Sequence, residues 1–174
     1  MPSRGPAQAQ HRKLMAMSYS ARAGEASSVL RRDADIPGLV RPTSRSRFVA
    51  PGSVTDGRFG LFRWEMDAGA GGPSPHFHRT FSESFYVLSG TVSLYDGREW
   101  IAAGAGDFLQ VPEGGIHAFS NESSDEPAAM LILFAPAPPR ERYFIELAEI
   151  NDSGRELSQE EWAAFLAKHD QYSA

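Results

Sequence analysis

A series of short apolar segments, separated by turn residues, occupies positions 45–137 and constrains the possible folds of this 174-residue chain more than any other feature. Phe62, Trp64 and Met66 alternate with charged residues, which is the period-two pattern of a half-buried strand. The Asp-Gly pair at 96–97 is a strong signal for a hairpin turn. About seven or eight strands of this kind, with turns roughly every eight to twelve residues, indicate a β-sandwich or a β-barrel.

The same criteria predict further strands at 83–88, 91–95, 99–102, 108–111, 116–120 and 128–134. The Gly and Pro residues of segment 67–75 predict a loop, because they cannot hold a strand ladder. Jelly-roll barrels are among the architectures that manage the edges of many short strands. We therefore predict an all-β fold with a jelly-roll β-barrel over residues 37–137.

The two ends of the chain differ in composition from the predicted barrel. Residues 1–36 lack periodic apolar spacing, which predicts a disordered or mobile tail, although their basic, acid-poor start is also compatible with a transit peptide. Residues 138–174 contain a helical segment at 141–149 and a capping box that starts at Ser158, which together predict a C-terminal helical extension. This arm either packs on the barrel or a neighbouring subunit, or covers the barrel mouth as a lid.

Composition excludes several classes of function. The formal net charge of −5 offers no positive field for nucleic acid or for an anionic membrane. The absence of cysteine excludes disulfides, thiolate metal sites and thiol nucleophiles. No apolar run approaches the roughly 20 residues that a membrane helix needs. We expect a cytoplasmic protein that binds a small-molecule substrate and forms a homodimer, since open barrels often pair through edge strands.

Four residues have the spacing of a metal site, and they are His76, His78, Glu83 and His117. On a strand, the side chains of residues 76 and 78 point to the same face, while the other two belong to later strands. Imidazole nitrogens with a carboxylate oxygen suit one divalent transition metal, which is Fe, Mn, Ni, Cu or Zn. We therefore predict such an ion inside the barrel.

Both segments resemble the paired motifs of the cupin superfamily, whose members are small jelly-roll barrels that hold one metal. The first motif of that family reads Gly, five residues, His-x-His, three or four residues, Glu, six residues, Gly. In this sequence it is matched by His76, His78, Glu83 and Gly90. Ala70 replaces its leading glycine. The second motif is matched by Gly106, Pro112, Gly114, His117 and Asn121. The resemblance, closest to the single-domain members or monocupins, implies a cupin-like double-stranded β-helix in which the two histidines of the first motif, Glu83 and His117 bind the metal.

The function has to be argued from the site, because this superfamily hosts many reactions. We expect Glu83 to act also as a catalytic base toward a hydroxyl group, if burial raises its pKa. The predicted substrate pocket is formed by inward-facing apolar residues, which are Trp64, Phe85, Phe119 and Ile132. Such walls suit a small phenolic or enolic molecule. Arg63 and Arg79 either hold an acidic group of that molecule or are surface charges.

The leading hypothesis is a metal-dependent dioxygenase, because the chain is similar to flavonol-cleaving single-domain cupins. One alternative is a metal-dependent isomerase or cyclase that uses the same ion without dioxygen. The other is a non-catalytic cupin that binds a small molecule. Regulatory cupins usually carry a helix-turn-helix, and neither end of this sequence offers a convincing one.

Overall fold

The fold is described by a computed structural model, which covers Tyr19 and residues 21–174. Residues 31–174 form one unit, and its strands are β1 (Gly38–Val40), β2 (Ser44–Ala50), β3 (Gly60–Met66), β4 (His76–Phe77), β5 (Ser82–Ser89), β6 (Thr91–Tyr95), β7 (Trp100–Gly104), β8 (Phe108–Val111), β9 (Ala118–Ser120), β10 (Ala128–Ala135) and β11 (Tyr172–Ser173). Its helices are α1 (Arg140–Asp152) and α2 (Gln159–Lys168), preceded by a single 3-10 turn at Asp33–Asp35.

Two antiparallel sheets make up most of this unit. The larger has the strand order β1-β2-β3-β10-β5-β8, and the smaller has the order β7-β6-β9. The two are separate ladders in the described part of the chain, so the strands do not close into one continuous barrel. A third, two-stranded sheet pairs β11 with β4. The predicted all-β fold with a C-terminal helical extension is confirmed.

The core lies on the inner face of the larger sheet, and its pattern follows the predicted alternation. Phe62, Trp64 and Met66 of β3 are buried, and the residues between them are not. On the neighbouring strand, Met130 lies opposite Trp64 and Ile132 opposite Phe62. Because facing side chains of one sheet face pack together, these pairs produce a continuous apolar layer.

Four strands lie outside the predicted set, namely the seven-residue β2 and the short strands β1, β4 and β11. The two or three residues of a short strand are too few to show a periodic pattern, and β4 and β11 form through partners distant in sequence. The last predicted strand before β10 begins at Ala118 rather than at residue 116. Helix α1 is longer than the predicted segment 141–149.

The C-terminal arm packs on the sheets through both of its helices. Tyr143, Phe144 and Leu166 are buried in the common core. The predicted capping box at the start of α2 is confirmed, because the Ser158 side chain accepts from the amide of Glu161 and the Glu161 carboxylate accepts from the amide of Ser158. Among the described residues, no helix is both long and apolar enough to cross a membrane.

The predicted mobile tail, residues 1–36, falls partly outside the described residues, which exclude positions 1–18 and 20. Tyr19 and residues 21–30 belong to a separate unit and contain no helix or strand. From Arg31 onward the chain belongs to the main unit, and the Arg31 guanidinium donates to the carbonyl of Phe48 at 3.0 Å and to that of Val49 at 2.8 Å.

Candidate metal centre

The four residues predicted as metal ligands lie together in the interior. Each offers one ligand atom, and these atoms lie within 4.8 Å of one another. None of the four side chains is more than 5% exposed. His76 is on β4, His78 follows it, Glu83 is on β5 and His117 directly precedes β9.

Main-chain hydrogen bonds hold the segments that carry these side chains. The amide of His76 donates to the carbonyl of His117 at 3.0 Å, and the amide of His117 returns the bond at 2.9 Å. The Gly114 amide donates to the His78 carbonyl at 2.7 Å. Gly114 has a φ of 82°, a conformation that glycine adopts at no steric cost, so it permits this turn.

Each histidine uses its Nδ1 atom to contact a backbone carbonyl. The Nδ1 of His76 lies 2.9 Å from the Ser74 oxygen, and the Nδ1 of His117 lies 3.0 Å from the Gly115 oxygen. For His78 the acceptor is the carbonyl of Asp170, at 2.6 Å, which comes from the C-terminal arm. Since a carbonyl can only accept, Nδ1 carries the proton in all three rings, and a neutral ring then has its lone pair on Nε2.

The donor set fits a cation. The Nε2 atoms of His78 and His117 each lie 3.0 Å from Oε2 of Glu83. With Nδ1 protonated, a neutral imidazole presents a lone pair to this carboxylate oxygen, and two acceptors at that distance repel each other. Either an additional proton or a metal ion relieves the repulsion. Imidazoles that donate their other N–H to carbonyls are typical of metal sites, and the cluster therefore fits a divalent ion.

The surroundings of His76 and Glu83 favour the protonation states in which these residues can bind a metal, a neutral imidazole and an ionised carboxylate. Burial, together with the nearby imidazoles of His117 and His78, lowers the pKa of His76 to about 3, so this ring is neutral at physiological pH. Burial alone would raise the pKa of Glu83, as we expected from the sequence. Hydrogen bonds with His117 and His78 reverse that direction and hold the pKa well below its ordinary value. The carboxylate is therefore ionised and is a weak proton acceptor.

The hydrogen bond between Glu83 and His117 also changes the pKa of the histidine. Burial alone would lower the pKa of His117, but the contact with the Glu83 carboxylate raises it above the ordinary value. A cation in the cluster would take the place of the proton that this contact favours.

A cavity of about 540 Å³ adjoins the cluster, and His76 and Glu83 form part of its wall. Both helices of the C-terminal arm contribute to the opposite side, through residues that include Tyr143, Phe144 and Leu166. The arm therefore packs on the sheets and also lines the cavity.

A comparison with known families bears on residues 62–134, which match the family model of the cupin domain. This part of the chain has the sequence pattern of a cupin domain. All four clustered side chains lie inside the matched segment, and the C-terminal arm lies outside it. The predicted jelly-roll fold is confirmed, because the sheets have the fold of cupins of known structure, although their strands do not close into one continuous barrel.

One relative of known activity is similar to this chain over part of its length. The chain is 32% identical over 82 residues to quercetin 2,3-dioxygenase of Bacillus subtilis (strain 168). That match covers 44% of this chain and only 23% of the length of that enzyme. The matched segment of this chain thus corresponds to less than a quarter of that enzyme.

Solved structures with the same fold include an RmlC-like cupin from Shewanella frigidimarina, with a TM-score of 0.56 and 17% identity, covering 66% of this chain and 96% of that one. A polyketide cyclase from Streptomyces resistomycificus gives a TM-score of 0.53 and 24% identity, covering 64% of this chain and 82% of that one. At these identities the likeness shows a shared fold.

Three of the four residues predicted for the substrate pocket line the cavity, and they are Trp64, Phe119 and Ile132. Phe85 is not among the lining residues. It is fully buried, with its ring centroid 5.8 Å from that of Phe119 and 5.9 Å from that of His117. Phe85 therefore packs behind the wall that the other residues form.

The two arginines considered for an acidic group do not line the cavity. Arg63 forms an exposed ion pair with Glu65 at 2.7 Å, and Arg79 lies over the ring of Tyr172 at 3.9 Å. Sequence reasoning missed Arg41 and Arg140, which do line the cavity. Their only sequence signal is a position next to prolines outside the predicted strands, which is too weak to single them out.

Proposed function

We propose that this protein is a metal-dependent oxidoreductase of the dioxygenase type, acting on a small phenolic or enolic molecule bound in the cavity. The observation that carries the proposal is the buried cluster of three imidazoles and one carboxylate beside a cavity with aromatic walls. Similarity to quercetin 2,3-dioxygenase over 82 residues supports the reaction class, although that match covers a small part of the enzyme.

The residues of the cluster would hold the ion as follows. His76, His78 and His117 would offer their Nε2 atoms, while the carbonyls bonded to Nδ1 fix the orientation of the rings. Glu83 would supply the one negative charge. When bound, a divalent transition metal supplies Lewis-acid polarisation and, if it is redox-active, one-electron chemistry with dioxygen.

The cavity wall would bind and orient the organic substrate. Trp64 and Phe119 form an edge-on pair with ring centroids 5.9 Å apart, and both contribute aromatic surface to the cavity wall. The rings of Tyr143 and Phe144 on α1 add further aromatic surface to the wall. A volume of about 540 Å³ accommodates a small aromatic molecule.

A metal-dependent isomerase or cyclase is the second candidate. It is supported by the Glu83 carboxylate on the cavity wall, which can take a proton from a bound hydroxyl or carbon acid. Similarity to quercetin 2,3-dioxygenase over 82 residues places this candidate second.

Metal content tests the site first. We expect about one Fe, Mn, Ni or Cu per chain by elemental analysis, and His78→Ala should lose most of it. The matched control is His169→Ala, because His169 lies outside the cluster with Nε2 at 2.9 Å from Glu146. Unchanged metal content in His78→Ala would show that the assignment of the ligands is wrong.

Oxygen consumption tests the reaction. The metal-loaded protein should consume dioxygen with at least one member of a panel of flavonols, catechols and β-diketones. A fully loaded protein that consumes none would contradict the dioxygenase. In that case, proton exchange or rearrangement of the same compounds would support the isomerase or cyclase, and binding without any reaction would support a small-molecule binding cupin.

A further inference from the structure

Two guanidinium groups line the cavity without an acidic partner. Arg140 is 4% exposed and Arg41 is half-buried. Arg140 donates to the His169 carbonyl at 3.2 Å and to Oε1 of Gln171 at 3.1 Å, both of which are neutral acceptors. Within the described residues, no carboxylate forms an ion pair with either arginine, and the Nε atom of each bonds no acceptor.

Aromatic rings hold both groups in place. The Cζ atom of Arg140 lies 4.1 Å from the ring centroid of Tyr143 and 5.5 Å from that of Phe144. The Cζ atom of Arg41 lies 5.0 Å from the ring of Trp64 and 5.9 Å from the same Phe144 ring. Ring faces and carbonyl dipoles offset part of the cost of burying a cation, but they carry no opposite net charge.

The charges on the cavity wall are therefore mostly positive. Its ionised residues are Arg41, Arg140 and Glu83, and the carboxylate belongs to the candidate metal centre. Burial lowers the pKa of both arginines, yet a guanidinium remains protonated in proteins. A divalent ion beside Glu83 would make the cavity more positive still, although the whole chain carries −5. Such a site attracts anions.

We propose that Arg140 and Arg41 bind a planar oxyanion of the substrate, a carboxylate, so that the substrate is a small aromatic or enolic acid. The guanidinium fork matches carboxylate geometry, and Arg is the residue that suits buried recognition of this kind. Arg140 belongs to α1, outside the segment that matches the cupin family, so the arm selects the charge of the ligand. The identity of the acid as a substrate rests on the proposed function, whereas its binding does not.

Paired ligands that differ in charge alone test this proposal. Isothermal titration calorimetry would compare benzoate with benzamide, and cinnamate with cinnamamide, on the full chain as purified and after treatment with a chelator. We expect each acid to bind about ten- to a hundredfold more tightly than its amide in both metal states, because charge-assisted hydrogen bonds are strong.

Three variants locate the anion. Arg140→Gln and Arg41→Gln should each remove most of the preference for the acid. Arg63→Gln should retain it, because this control removes the same charge from an exposed pair outside the cavity. Circular dichroism and melting temperature monitor the fold. If the buried Arg140 variant unfolds, Arg41→Gln still decides the result, since Arg41 is only half-buried.

Several outcomes would overturn the proposal. They are equal affinity for acid and amide, no saturable binding of either acid, a preference retained by both cavity variants, and a preference that disappears on chelation. The last would mean that the acid binds the ion. A lack of oxygen consumption would refute the dioxygenase and leave the acid preference intact. Oxygen consumption with neutral phenols, together with equal binding of acid and amide, would refute this proposal alone.

Discussion

Asp170→Ala should weaken the metal centre from the far end of the chain. The Oδ2 atom of Asp170 accepts from the Arg79 amide at 3.1 Å, the Thr80 amide at 2.8 Å and the Thr80 hydroxyl at 2.7 Å. Its own carbonyl lies 2.6 Å from Nδ1 of His78. One residue of the arm therefore fixes both the loop after β4 and a candidate ligand.

The magnitude follows from these contacts. Three hydrogen bonds at about 0.5–1.5 kcal/mol each, on a partly exposed carboxylate, contribute about 2–4 kcal/mol. Asp170 also has a φ of 53°, and alanine in this left-handed conformation costs about 1 kcal/mol more than Asp or Asn. We expect the free energy of unfolding to fall by about 3–5 kcal/mol. The metal affinity should fall by about tenfold or more, as for other groups that orient ligands.

Urea unfolding and competition with a metal-binding dye measure the two effects. Asp170→Asn should lose less of both, because Asn tolerates the same backbone conformation and keeps one acceptor oxygen. Asp96→Ala is the matched control, since Asp96 bonds the amides of Arg98 and Glu99 in a surface hairpin. It should leave the metal affinity unchanged. If Asp170→Ala keeps the wild-type metal affinity, the arm does not support the centre and this reasoning is refuted.

Three further predictions concern the surroundings of the site. Phe62→Ala should lower the free energy of unfolding by about 3–5 kcal/mol in urea, because this ring is fully buried among three others. Gly72→Ala should cost about 1–3 kcal/mol, since its Cβ would lie 1.8 Å from the Phe119 carbonyl; an unchanged melting temperature would contradict this contact. Hydrogen bonds from Lys168 and His169 lower the pKa of Glu146. These contacts therefore stabilise the fold above the ordinary pKa of 4.5, and their contribution is lost as pH falls through the lowered value. Glu146→Gln should therefore lower the free energy of unfolding at pH 7 by less than about 1 kcal/mol, because ion pairs this exposed contribute little. The difference in melting temperature between the variant and the wild type should be small at pH 7 and should shrink toward acid pH.

The sequence predicted those features that depend on local patterns. The alternation in β3 identified its buried face, because burial repeats every second residue along a strand. The His-x-His pair and its downstream partners were recognisable as a motif, and the structure brings all four side chains within 4.8 Å. A motif of fixed spacing requires no knowledge of distant contacts.

Features that depend on distant contacts could not be predicted. Asp170 lies about ninety residues from His78, and no pattern near either one indicates that they meet. The same holds for Arg140 on the cavity wall. The pKa of Glu83 was expected to rise with burial, but its direction depends on two histidines placed by other strands. The homodimer and the cytoplasmic location stay predictions.

Two main-chain hydrogen bonds join His76 directly to His117, whereas the other two residues of the cluster are not paired in this way. The imidazoles of His76 and His117 are spaced by the peptide backbone itself, since each amide donates to the other carbonyl. The remaining donors reach the centre from β5 and from the loop that the arm holds. The separation of the His76 and His117 rings should therefore stay constant across a series of forms loaded with ions of different radius.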